Sequence, residues 1–558
     1  MVNLEMTPAR RVLVAAAMLL CLFTPLAVAR TTTHQEARLA VAGWLSTDAK
    51  PLDTILGRRV WRVETFAGDD GLPIYYIVYL DPLGFVIVPA DDLVEPIVAF
   101  TDGLVFDPSS QTPLGDLVTQ DLTSRIKAAR ASQDQMQLLG VSEAQSKWYQ
   151  LINLAKTSAD DFTFMGLSSV SDVRVSPLIK SKWSQSDVCD EYCYNYYTPN
   201  HYVCGCVATA MAQLMRYNLY PKLGVGQLYF VIEIDGVRRS AYLRGGDGAG
   251  GPYSWPSTIL VPGCSTTDAQ RSAIGAICYD AGVSISTSYE STGSAASILD
   301  VKKALTTTFR YANAVTGYSE GRAIGSGLQE MINPNLDAQC PVIIGIIASS
   351  SSTGHAVLVD GYGYNASTLY HHLNMGWSGM DDVWYNLPDV LEYNTVRACI
   401  YNVFVDDTGE IISGRILDPQ GDPIESATVV AEGSGGPYTA DTNAKGIYAL
   451  VGLSSSSSFT VSVTKARFTF ESQVVKTGTS RDLSNKSGNN WQIDFVAALA
   501  GDFNADDTID LADFVILASA WLSQPGDPAW NSEYDISDPK DDVIDPLDMA
   551  IFAENWLQ

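Results

Sequence analysis

Four side chains in this sequence have the types and order that catalysis by a thiol requires. Cys206 sits in CGCVATAMAQLMRYNLYP (residues 204–221). There Ala210, Met211, Leu214 and Met215 recur at helical spacing, and the helix should stop before Pro221. A cysteine opening that helix lies beside N–H groups with no helical partner and beside the positive dipole end, which favours thiolate. Gly205 just before it allows close backbone approach by a substrate. A thiolate nucleophile needs a base, and His355 begins the apolar run of STGHAVLVDGYG. Asn374, in LYHHLNMGWSG, offers an amide to hold the tautomer of His355, and Gln185, in KWSQSD, offers one to an oxyanion. Alone, Cys206 would read as a core or disulfide cysteine and His355 as a strand-end histidine; their combination reverses that weighting.

GCVATAMAQLMRYNLYP, GHAVLVDGYG and HLNMGWSG, in that order, resemble the streptopain family of papain-fold cysteine proteases. The similarity runs across residues 174–405, including KWSQ, PYSWPSTIL and AGVSISTSYESTGSAAS. The resemblance implies an α+β papain-like catalytic domain that hydrolyses peptide bonds of broad protein substrates. It assigns Cys206 as nucleophile, His355 as general base and Gln185 to the oxyanion hole. It matches Asn374 and Trp377 to the asparagine and second tryptophan of the family's asparagine-tryptophan-glycine-tryptophan motif, with Met375 departing from the first tryptophan. WLSTDA, YYIVYLDPLGFVIVPADD and VAFTDG resemble the family's propeptide, which implies a zymogen inhibited by its own prodomain.

The elements around these residues divide the chain into segments. Residues 1–29 have the layout of a secretory signal: Arg10 and Arg11, an apolar run, then a small-x-small site at Ala27-Val28-Ala29. No stretch of 18 or more apolar residues follows, so a secreted chain without a membrane span is expected. Residues 30–173 read as a small α+β prodomain with a polar helix and a Ser/Asp-rich connector, and 174–406 as the catalytic domain. Residues 407–499 have the short strands and Gly/Asp turns of a β-sandwich, and resemble carboxypeptidase-regulatory-like or Cna-B-like modules; a spacer role is expected. The net charge of −28 argues against nucleic acid, which needs clustered Lys and Arg. Eight cysteines remain once Cys21 leaves with the signal, and spacing does not give their pairing. With His201, Cys189, Cys193 and Cys204 mimic a zinc set, though C-x3-C suits exported disulfides equally well.

Residues 500–558 repeat one unit, GDFNADDTIDLADFVILASAWL returning as EYDISDPKDDVIDPLDMAIFAENWL. The first copy offers Asp502, Asn504, Asp506, Asp510 and Asp513 as oxygen ligands, with a carbonyl from Thr508. The second offers Asp535, Ser537, Asp541, Asp545 and Asp548, with a carbonyl from Val543, once a two-residue insertion near Asp538-Pro539 is allowed. Such hard-oxygen loops suit Ca2+. The pairing of loops and helices resembles a type I dockerin, a small all-α calcium-binding module, and implies a cohesin-type or cell-surface partner. The whole is expected to be a secreted zymogen endopeptidase tethered through calcium. A papain-fold scaffold without activity, or a papain-fold acyl transferase, are the alternatives.

Overall fold

The computed structural model describes residues 30–109, 112–131, 142–157, 171–320, 323–347, 354–387, 396–466, 468–504, 508–537 and 540–556. The expected signal segment and Asp506 lie outside the described residues. The chain forms two compact units. One is built from residues up to 166, apart from 51–53 and 109–117; those two short segments and residues from 167 onward make the other.

The first unit opens on helix α1 (His34–Thr47), whose N-terminal N–H groups are closed by a capping box between Thr33 and Glu36. An antiparallel meander follows: β1 (Arg59–Ala67), β2 (Pro73–Asp81), β3 (Phe85–Pro89) and β4 (Ala99–Thr101). β2 and β3 are apolar almost throughout and buried on both faces. Helices α2 (Pro113–Ala131) and α3 (Glu143–Lys156) complete the described elements here, and Trp148 of α3 donates its indole N–H to Val94 O.

In the second unit β5 (Ser171–Val175) leads to helix α4 (Cys206–Asn218), in which every residue from Val207 to Met215 is buried. Next come β6 (Tyr229–Ile234), β7 (Val237–Tyr242), helix α5 (Asp268–Ser284), β8 (Ser288–Glu290) and β9 (Gly293–Ala295). These four strands form a small sheet in the order β9-β8-β6-β7. β10 (Asn313–Tyr318), helix α6 (Leu328–Asp337), β11 (Val342–Ile347), β12 (Gly354–Asn365), β13 (Thr368–Asn374), β14 (Val383–Tyr385) and β15 (Val396–Phe404) follow. Their strands run β14-β13-β12-β11-β15-β10, with β5 beside β12. Helices α4 and α5 share one hydrophobic core with the face of this sheet that carries Ile343, Ala356, Leu358 and Ile400.

Two further sheets make the sandwich. β16 (Glu410–Leu417) lies between β19 (Ile447–Leu453) and β22 (Phe495–Val496); β17 (Thr428–Gly433) and β20 (Ser458–Thr464) lie between β18 (Tyr438–Asp441) and β21 (Gln473–Lys476). Ile412, Val429, Leu450 and Val461 fill the space between them. A spacer was expected, yet the sandwich shares a buried polar joint with the preceding domain. Asn402 accepts from the side chains of Asn335 and Asn489 at 2.9 Å each, and Asp337 accepts from Ser413 Oγ and Tyr362 OH at 2.7 Å each. Burying these groups is tolerable only because each finds a partner.

The last described segment contains α7 (Leu511–Ser519) and α8 (Pro546–Asn555). The repeat read in the sequence is present as repeated bonding. Asp513 accepts from the N–H groups of Phe503, Asn504 and Asp510; Asp548 accepts from those of Ile536, Ser537 and Asp545. Ile509 and Ile544, and Leu517 and Phe552, occupy matching places in one small core. Among the described residues no three His, Cys, Asp or Glu side chains are gathered as a metal cluster. No described helix is long and apolar enough to cross a membrane.

Candidate active site

Cys206 is the first residue of α4, and Gly205 is its N-cap at φ +89°. Only glycine fits there comfortably, because a Cβ would also stand 3.0 Å from the carbonyl oxygen of Ser294. The helix therefore starts abruptly at the edge of the sheet, and the N–H of Ala356 donates to Cys206 Sγ at 3.4 Å. Ala356 follows His355 near the start of β12, so the thiol and the imidazole-bearing residue meet where helix and strand ends converge. Both residues are half-buried.

The electrostatics differ from the simple helix-end expectation. Desolvation pushes the Cys206 thiol above its ordinary value, while N–H groups of Ala356, Val207 and Cys206 itself pull the other way. Here loss of water outweighs the helix terminus.

Gln185 is tied in by its backbone, which accepts from the N–H of Cys204 at 2.9 Å. That bond places the loop carrying Gln185 two residues from Cys206. Asn374 ends β13, and its register partner on β12 is Leu358, three residues past His355. Its amide donates to Ser181 O at 3.1 Å and accepts from Gln213 Nε2 at 2.9 Å and from Gly376 N at 3.1 Å. The amide thus locks a turn to a loop.

Gln213 was missed by the sequence reading. It lies two helical turns after Cys206 and is buried, and its Oε1 also accepts from Ser181 Oγ at 2.9 Å and Trp183 N at 3.3 Å. One side chain therefore joins the nucleophile's helix, the Gln185 loop and the Asn374 turn. A lone amide inside the otherwise apolar face of ATAMAQLM was the available signal. Met375 is fully buried, and its N–H donates to Asp382 at 3.0 Å. Trp377 is half-buried, with its indole N–H inside the fold and without a hydrogen-bond partner.

The remaining candidates have structural roles. Cys189 is joined to Cys264, which removes it from any zinc set, and His201 stacks on Tyr192 with centroids 3.7 Å apart. His371 is buried against Asn333, and burial lowers it to about 3. His372 pairs with Asp360 at 2.6 Å; burial lowers its ordinary value, but the carboxylate outweighs that and holds it above.

Beside the thiol is a cavity of about 220 Å3, walled by Val207 and Ile298. Its floor is a row of register partners across four strands: Tyr318, Ala398, Gly345 and Ala356. Three of the four are glycine or alanine, which leaves room above the sheet. Tyr318 closes the far end.

Comparisons with known proteins agree with this arrangement. Residues 183–385 match the Peptidase C10 family, 29–126 match the Spi protease inhibitor family, and 411–488 match the carboxypeptidase regulatory-like domain. Streptopain of Streptococcus pyogenes serotype M1 is 25% identical over 250 residues, covering 41% of this chain and 59% of that protein. The thiol protease/hemagglutinin PrtT of Porphyromonas gingivalis is 29% identical over 181 residues, covering 32% of this chain and 20% of its own length. Among solved structures, prointerpain A of Prevotella intermedia aligns with a TM-score of 0.43 at 20% identity, covering 62% of this chain and 98% of that one. A type II cohesin-X-dockerin complex of Acetivibrio cellulolyticus reaches a TM-score of only 0.14 at 20% identity, over 27% of this chain and 97% of that one, and no correspondence follows from it. The chain thus carries a cysteine peptidase domain of the Peptidase C10, or streptopain, family, with a Spi-inhibitor-like prodomain before it and a carboxypeptidase regulatory-like domain after it.

Proposed function

We propose that this chain is a secreted zymogen cysteine endopeptidase that hydrolyses peptide bonds of proteins. The observation that carries the reading is the apposition of Cys206 Sγ to the N–H of Ala356, next to His355. In the proposed reaction His355 takes the thiol proton and Cys206 attacks the scissile carbonyl carbon. The side-chain amide of Gln185 and the helix-end N–H of Cys206 stabilise the oxyanion. His355 then protonates the leaving amine, and water, activated by the same imidazole, releases the acid from the thioester. The cavity suits an apolar side chain of the substrate beside the scissile bond.

The Spi-inhibitor-like match supports a prodomain that restrains the enzyme until it is removed. For the C-terminal repeats the reading is calcium-dependent docking to a cohesin-like or cell-surface partner. The donors fit a hard cation chemically: Asp502, Asn504, Asp510 and Asp513 in one loop, and Asp535, Ser537, Asp541, Asp545 and Asp548 in the other, all offer oxygen. Bound there, Ca2+ would cross-link each loop and neutralise its carboxylates.

The test uses the full-length zymogen beside its Cys206→Ala twin in mild reductant. Propeptide loss is followed by mass spectrometry, and both chains are treated with an epoxide thiol-protease inhibitor. Self-cutting and labelling of the wild type alone are expected. If neither occurs, even after a second protease has removed the prodomain, the chain is a papain-fold binding scaffold instead.

A further inference from the structure

The outer edge of the catalytic sheet is β10, and it is not left bare. Residues 482–484, from the loop between β21 and β22 of the sandwich, run parallel to it as an added strand. Leu483 N–H donates to Thr316 O at 2.8 Å, and Tyr318 N–H donates to Ser484 O at 2.9 Å. The carboxylate of Asp482 accepts from Thr316 N–H at 3.0 Å and pairs with Lys302. Three backbone groups of β10 are therefore held by another domain.

That loop is itself anchored. The buried carboxylate of Glu410 in β16 accepts from Ser480 N–H at 2.8 Å and from Ser480 Oγ at 2.6 Å, and Gly488 N–H donates to Ser480 Oγ at 2.9 Å. A chain of direct bonds thus runs from the sandwich core through Ser480 and Asp482 to the strand that ends in Tyr318. On its inner side Tyr318 is the register partner of Ala398 and closes the cavity beside Cys206.

We propose that the β-sandwich is a specificity element of the peptidase, with Asp482 as a positioning residue that acts through Tyr318. By fixing β10 it fixes the far wall of the cavity, and so the size of substrate side chain accepted there. The inference rests on the reading of this cavity as a substrate subsite. An edge strand freed from such pairing frays, because its N–H and C=O groups turn to water. The wall would then yield, and discrimination between an aliphatic and an aromatic occupant would fall.

The experiment uses the full chain after propeptide removal and two peptide substrates that differ only in the residue entering the cavity, leucine or phenylalanine. The readout is the ratio of their kcat/KM values. Asp482→Ala should move this ratio toward unity by about fivefold or more, chiefly through KM, a size typical of one change in pocket fit. Asp482→Asn, which keeps an oxygen for Thr316 N–H, should restore most of the wild-type ratio. In a Tyr318→Ala background Asp482→Ala should change nothing further. An unchanged ratio in Asp482→Ala, or an equal shift with and without Tyr318, overturns the proposal. If Asp482→Ala does not fold, Ser480→Ala decides, since it loosens the loop from Glu410; an unaltered ratio there also overturns it. A wild-type chain that cleaves neither peptide defeats the peptidase reading itself, whereas one that cleaves both with an Asp482-independent ratio defeats only this inference.

Discussion

At Cys206 two physical effects oppose each other. The start of α4 offers N–H groups that favour negative sulfur, and the surrounding protein removes the water that would favour it more. Desolvation is the larger of the two, so the thiol is held above its ordinary value. The floor of the cavity is equally a matter of single atoms. A Cβ on Gly345 would lie 3.1 Å from Ile298 Cδ1 and 3.4 Å from Ala398 Cβ, so a larger side chain there fills the space and presses on the wall. Gly345→Val should raise KM about 10-fold or more for a peptide with a bulky apolar residue in the cavity. Overpacking should cost about 1–3 kcal/mol of stability. Iodoacetamide, too small to need the cavity, should still alkylate Cys206. A KM that does not move would show that the cavity is not where substrate side chains bind.

Among elements, the junction of α6, β12 and β16 carries a pH dependence of its own. Asp337 ends α6, buried between Tyr362 and Ser413, and desolvation pushes its carboxyl up to about 7. Arg174 lowers it and Asp494 raises it, each by less than burial does. The folded state therefore keeps a proton that the unfolded chain gives up near the ordinary carboxylate value of about 4. Between those values the native state binds more protons than the unfolded one, so stability falls as pH rises from about 4 to about 7 and is level above. Asp337→Asn removes that slope and should gain on the order of 2–4 kcal/mol at pH 8. Melting temperatures of both chains across pH 4–8 check this, and parallel curves would refute it.

For the whole molecule, a net charge of −28 is concentrated in part in the duplicated C-terminal loops. Asp513 and Asp548 each take three backbone N–H groups, so both loops close around a carboxylate. Such loops repel themselves unless a cation neutralises them. The full chain in a chelator should be nicked by trace protease within residues 500–558 and protected there by Ca2+, with the melting of the catalytic core little changed. Identical cleavage patterns in both conditions would dispose of the calcium reading.

The order Cys206, His355, the Gln185 loop and the C-terminal duplication were legible because each depends on residue type and local period. Helical spacing after Cys206, an apolar run after His355 and a 35-residue repeat from Asp510 to Asp545 all survive without knowing what packs on what. What only the tertiary structure decided was long-range. The bond that joins Asn374 at the end of β13 to Gln213 in α4 spans residues far apart in the chain. Burial, not helix position, set the direction of the Cys206 thiol. The 189–264 pairing of cysteines and the bonding of residues 482–484 to β10 join segments far apart in the chain, and no local pattern records such meetings.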